Sequence, residues 1–246
     1  MSARRSGFAV GLTLAIVVVF AACDSLPGKP KPGTHDLLHT EVVAFDALYA
    51  RRCAGCHGID GRLGPARPLN DPVYLALVSR DRLTQVIASG VPGTSQPAFA
   101  QSAGGDLTDR QVEVLGDGLI SAWGRAGAAR DASHPPYAAT ASGDQERGKN
   151  VFAMACASCH GPEGRGGPKG GSIVDPSYLA LVSDQGLRTT VMAGRPDLGM
   201  PDWRGYVTGQ PLSPQQISDV TAWLVAQRRP VPGRLVSETD SRRSAR

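Results

Sequence analysis

The chain is 246 residues long, with a formal net charge of +4 at pH 7, 20% charged residues and 41% hydrophobic residues. That length suits one large domain or two small ones. A charge so near neutrality supplies no strongly basic face, so nucleic-acid binding is not expected, and it leaves little electrostatic guidance about protein partners.

The first element reads as an export signal. Arg4 and Arg5 precede an apolar run from Phe8 to Phe20, which ends in Phe20-Ala21-Ala22-Cys23 with small residues before the cysteine. The run is shorter than the ~20 apolar residues that span a bilayer, and its basic start and small-residue end are those of a leader segment. It resembles a bacterial lipoprotein signal, with Phe20 standing where Leu, Val or Ile is usual. The resemblance implies cleavage before Cys23 and acylation of that residue; a plain secretory peptide and an uncleaved anchor are the alternatives. All three export the chain, to the periplasmic side of a bacterial membrane if the lipoprotein reading holds. Losing Arg4 and Arg5 with the leader brings the charge still closer to zero. Residues 23–40 then read as a tether containing Pro27, Pro30 and Pro32. At about 3.1 Å per residue, such a segment reaches roughly 50 Å from a lipid anchor. His35 and His39 within it are expected to be solvated.

The pentapeptide C-x-x-C-H follows twice, as Cys53-Ala-Gly-Cys56-His57 and as Cys156-Ala-Ser-Cys159-His160. Two thiols separated by two residues on one turn can form thioethers with both vinyl groups of one porphyrin, and the next His meets the iron as proximal ligand. One isolated copy could be half a zinc site, but four of the five cysteines fall in these two copies. The reading is two covalently bound c-type haems. A second repeat supports duplication: Asp71-Pro-Val-Tyr-Leu-Ala-Leu-Val-Ser79 returns almost unchanged as Asp175-Pro-Ser-Tyr-Leu-Ala-Leu-Val-Ser183.

Both copies read as short helical units with no alternating stretch that demands a sheet, so the expected fold class is all-α. Ser142-Gly-Asp-Gln145 has the form of a capping box opening the helix before the second motif. Asp71-Pro72 and Asp175-Pro176 supply an N-cap followed by proline at the first helical position. A further helix ends at Gly90 in one copy and Gly194 in the other. Thr108 to Gln111 and Ser213 to Gln216 open the last helices, whose buried stripes are Val112, Leu115, Leu119 and Ile217, Val220, Leu224. The expected layout is 1–22 signal, 23–40 tether, 41–124 first haem domain, 125–143 linker, 144–230 second haem domain and 231–246 disordered tail. His134, in the linker before Pro135-Pro136, reads as an exposed loop residue, with a structural or ligand role as the alternative.

The paired motifs, with this helix order around them, resemble a tandem dihaem member of the class I cytochrome c family over about residues 41 to 230. The resemblance implies that an N-terminal helix carries each haem motif and crosses a C-terminal helix. An aromatic residue commonly stands four positions before the first Cys of the motif, here Tyr49 and Phe152, and a Met from a later loop supplies the second axial ligand. In the second domain that ligand is Met200, in Gly199-Met200-Pro201, with Met192 the alternative. In the first domain the ungapped counterpart of Met200 is Gln96, and no Met lies between Met1 and Met154. Gln96 as a weak oxygen ligand, an open or water-bound iron, and ligation by a distant group such as His134 all stay open there. The function implied is single-electron transfer between redox partners by a membrane-tethered carrier or a subunit of a respiratory complex. The alternative is a peroxidase-like or small-gas-binding enzyme that uses an open first haem; no acid/base pair is evident beside that motif.

Overall fold

Each half begins with a helix that runs into its C-x-x-C-H pentapeptide and ends with a longer helix that crosses back over the first. The computed structural model describes residues 38–129 and 134–229. Cys23, the expected leader, nearly all of the tether and the 231–246 tail lie outside the described residues. Residues from Thr40 onward make one compact unit that holds both halves.

The first half contains α1 (Phe45–Arg52), α2 (Ala54–His57), α3 (Pro72–Leu77), α4 (Arg80–Ser89) and α5 (Asp109–Trp123). The second repeats the order as α6 (Gln145–Ala155), α7 (Ala157–His160), α8 (Pro176–Leu181), α9 (Asp184–Ala193) and α10 (Pro214–Ala226). Among the described residues there is no strand, only isolated bridges at Ala100 with Leu107 and Arg195 with Met200. No helix among them is long and apolar enough to cross a membrane.

Local chemistry sets most helix starts. Oδ1 of Asp71 accepts from the Val73 and Tyr74 amides, and Oδ1 of Asp175 from those of Ser177 and Tyr178. Thr108 with Gln111 and Ser213 with Gln216 form complete capping boxes. The start of α6 differs from expectation: the cap is Asp144, whose carboxylate accepts from the Arg147 amide at 2.8 Å. Asp219 of α10 fixes that register by accepting from the Asp144 amide at 2.8 Å, and the Ser142 carbonyl is taken by Gln215.

The expected stripes of α5 and α10 are buried, and the buried apolar side chains of both halves join in one connected cluster. Helix crossings are close. A Cβ on Gly148 would lie 2.0 Å from the Asp219 carbonyl oxygen, so α6 and α10 touch backbone to backbone there. At the crossing of α1 and α5, a Cβ on Gly118 would instead meet the Phe45 ring at 2.1 Å.

The halves touch directly. The Ser95 amide donates to the Leu181 carbonyl at 3.4 Å, and α3 packs against α9. The Leu63 amide donates to Oδ2 of Asp197 at 3.1 Å, from a left-handed backbone with φ 60° that non-glycine residues seldom adopt. Arg195 pairs with Asp197 at 2.9 Å and donates to the Gly64 carbonyl. The connecting segment is also held, since the buried Arg188 guanidinium donates to the carbonyls of Pro136 and Tyr137 and to the Ser218 hydroxyl.

Candidate haem sites

Cys53 caps the C-terminus of α1, and the single turn of α2 places Cys56 and His57 on the same short arc, closed by the His57 amide donating to the Cys53 carbonyl at 2.9 Å. Cys156, Cys159 and His160 repeat this turn, with the corresponding bond at 3.0 Å. Glycine ends each turn with positive φ, 84° at Gly58 and 79° at Gly161. A Cβ at Gly58 would lie 1.8 Å from the Arg62 carbonyl oxygen, so the chain returns over the motif only where that atom is missing.

None of the four motif cysteines is joined in a disulfide. Burial, and secondarily the neighbouring thiol, pushes Cys53 up to about 11 and Cys156 up to about 12. Among the described residues no group of three or more His, Cys, Asp or Glu converges to hold a metal ion.

The imidazoles carry the clearest geometric signal. Nδ1 of His57 lies 2.7 Å from the Arg67 carbonyl oxygen, and Nδ1 of His160 lies 2.8 Å from that of Gly171. A carbonyl only accepts, so Nδ1 carries a proton and the lone pair of the neutral ring falls on Nε2. Burial lowers the His57 pKa, against the pull of the Arg67 carbonyl, and keeps that ring neutral. In the second half Gly170 lets the loop close on the ring, since a Cβ there would lie 2.7 Å from Cε1 of His160. Two thiols and an oriented nitrogen donor on one turn fit a covalently attached haem. The two carbonyl acceptors are invisible to motif reading, because a backbone oxygen carries no residue type; the Gly170-Gly171 pair is the one trace left in the sequence.

The loops that hold Gln96 and Met200 also correspond. Arg195 and Met200 exchange two backbone hydrogen bonds of 3.0 Å, and the Val91 amide donates to the Gln96 carbonyl at 3.0 Å. Gln96 and Met200 thus occupy the same place in equivalent loops, each following a positive-φ glycine, Gly90 or Gly194. The Gln96 side-chain amide donates to the Pro97 carbonyl at 3.4 Å, and the side chain is near enough to His57 to pull the pKa of that ring slightly upward. Trp203, three residues after Met200, is buried, with the Arg204 guanidinium 4.7 Å from its ring centroid and paired to Asp202. Met192 lies fully buried in α9. Nδ1 of His134 sits 3.3 Å from the carbonyl oxygen of the adjacent Pro135.

Known proteins show the same two-part pattern. Residues 145–227 match the family model described as cytochrome c, and residues 41–117 match the one described as cytochrome c oxidase, cbb3-type, subunit III. A cbb3-type cytochrome c oxidase subunit CcoP from Rubrivivax gelatinosus is 30% identical over 194 residues, covering 77% of this chain and 56% of the relative. The subunit CcoP from Azospirillum sp. (strain B510) is 28% identical, covering 68% and 57%. The subunit FixP from Azorhizobium caulinodans is 28% identical, covering 77% and 60%. The chain therefore spans somewhat over half the length of the curated relatives it matches.

Proposed function

From a chain that belongs to the cytochrome c family as a tandem pair of its domains, with two covalently bound c-type haems, we propose an exported single-electron carrier that passes electrons between its haems and redox partners. In this reading Cys53 and Cys56 attach the first haem with His57 as proximal ligand, and Cys156, Cys159 and His160 do the same for the second. Met200 is the distal ligand of the second site and Gln96 the weak distal ligand of the first. Each haem supplies a reversible one-electron step at its iron. The chain supplies orientation, burial and the two imidazole lone pairs. The observation that supports this most is the tie from each Nδ1 to a backbone carbonyl, which fixes the orientation of both rings.

The partners proposed are redox proteins or a respiratory complex, and the relatives' names point to a cbb3-type oxidase. Acylated Cys23 would tether the chain to the periplasmic side of a membrane, so Cys23→Ser should release it into the soluble exported fraction.

A second reading, a peroxidase-like or small-gas-binding enzyme, is favoured by one observation: Gln96 replaces a thioether. Redox titration of the purified full chain, with and without carbon monoxide or peroxide, separates the two. The carrier reading expects two haems per chain, two separate transitions and no peroxide turnover; rapid peroxide consumption at the first haem would establish the enzyme.

A further inference from the structure

Among the described residues, the buried side-chain polar atoms without a hydrogen-bond partner are the three guanidinium nitrogens of Arg67 and Oδ2 of Asp71. The backbone of Arg67 is already engaged, since its carbonyl orients His57. Its guanidinium stands 4.1 Å over the Tyr74 ring, and its charge reaches Tyr178, the counterpart of Tyr74 in the other half, as well as His57. The cation therefore lies beside the first haem site, where the halves meet.

Such a cation needs an anion. Removing a guanidinium from water is costly, and stacking on one phenol ring returns only part of that cost. Asp71 does not complete the pair: Oδ1 caps α3, and Oδ2 makes no bond to Arg67. The second half lacks the arrangement, with Gly171 at the place of Arg67 and an exposed Asp175 at that of Asp71. A c-type haem carries two carboxylate side chains on the porphyrin edge away from its thioethers, and among the described residues the first half alone presents an orphaned buried cation to receive one.

We propose that Arg67 is the counter-charge for a carboxylate of the first haem, and that it raises the potential of that haem, partly offsetting the missing thioether. A fixed positive charge beside a centre that gains an electron favours the reduced state. The inference rests on attachment of the first haem at Cys53, Cys56 and His57.

The test uses the full-length holoprotein and follows each haem in a spectroscopic redox titration. R67Q should shift the first midpoint downward and leave the second in place, and R67K should recover most of the shift. Both midpoints unmoved in R67Q, with only thermal stability reduced, would overturn the proposal in favour of a purely structural stacking role; both moved equally would overturn it as well. Should R67Q fail to mature, resonance Raman of the wild type and R67K decides. The carboxylate bending bands of the two haems should differ in the wild type and one should move in R67K; coincident bands that ignore the substitution would overturn it. A wild type with one haem per chain, or with two haems still attached in the C53A/C56A variant, would instead reject the site reading on which the inference rests.

Discussion

The two halves make the same helix crossing with large and small side chains exchanged. In the first, Phe45 on the opening helix fills the space above Gly118 on the closing one; in the second, Gly148 opens and Trp223 closes. The aromatic packing follows the exchange. Phe45, Tyr49 and Trp123 meet edge-on or tilted, with Tyr49 and Trp123 centroids 5.0 Å apart, whereas Phe152 stacks on Trp223 at 4.3 Å and 26°. The crossing demands one large and one small partner and is indifferent to which helix supplies which. The consequences of disturbing it are unequal, because Gly148 faces a rigid backbone carbonyl and Gly118 a ring that can turn.

Substitutions that break this correspondence should rank as follows. The largest effect is expected at the ligand loops, where the halves differ most. Met200→Ala should lower the second midpoint by on the order of 0.2 V, near 5 kcal/mol for one electron, and Gln96→Met should raise the first toward it, as read by redox titration. Next, Gly148→Val should destabilise the second half by about 3 kcal/mol in thermal unfolding, since its Cβ meets a backbone atom that cannot move aside.

Asp219→Asn should cost about 2 kcal/mol. Its carboxylate is buried and accepts from the exposed Arg147, from Gln215 and from the Asp144 amide. The hydrogen bond from Arg147, helped by those from Asp144 and Gln215, holds its pKa below the ordinary carboxylate value against the opposing effect of burial. Its stabilisation is therefore complete above the unfolded value of about 4 and is lost as pH falls through the lower folded value. Acid melts of wild type should show that loss, and those of Asp219→Asn should be flatter over the same range. The smallest effect is expected for Gly118→Ala, about 1 kcal/mol, because the Phe45 ring can rotate to accept the methyl group.

Much of this was legible in the chain because the signals are local. The two pentapeptides, the Asp-Pro helix starts and both capping boxes depend on neighbours within a few residues, and the all-α order follows from them. What escaped depends on distant partners. Ser142 looks like the cap of α6 until Asp219 captures the amide of Asp144. The carbonyls of Arg67 and Gly171 that orient the histidines leave no trace in the sequence beyond the Gly170-Gly171 pair. Gln96 could be matched to Met200 by counting residues, and the loops around the two are hydrogen-bonded alike; the nearness of its side chain to His57 needed three dimensions.

The repeated stretches beginning at Asp71 and Asp175 also lie where the halves meet, though unequally, since α3 packs against α9 and α8 makes no comparable contact with α4. Leu181, at the end of one, receives the Ser95 amide from the first half, while Val73 of the other borders Gly199 and Met200 of the second. A contact of this kind between two separate copies would be lost on dilution. Carried within one chain, it forms at an effective concentration on the order of millimolar. The spacing of the two cofactor sites therefore does not depend on how much of the protein is present.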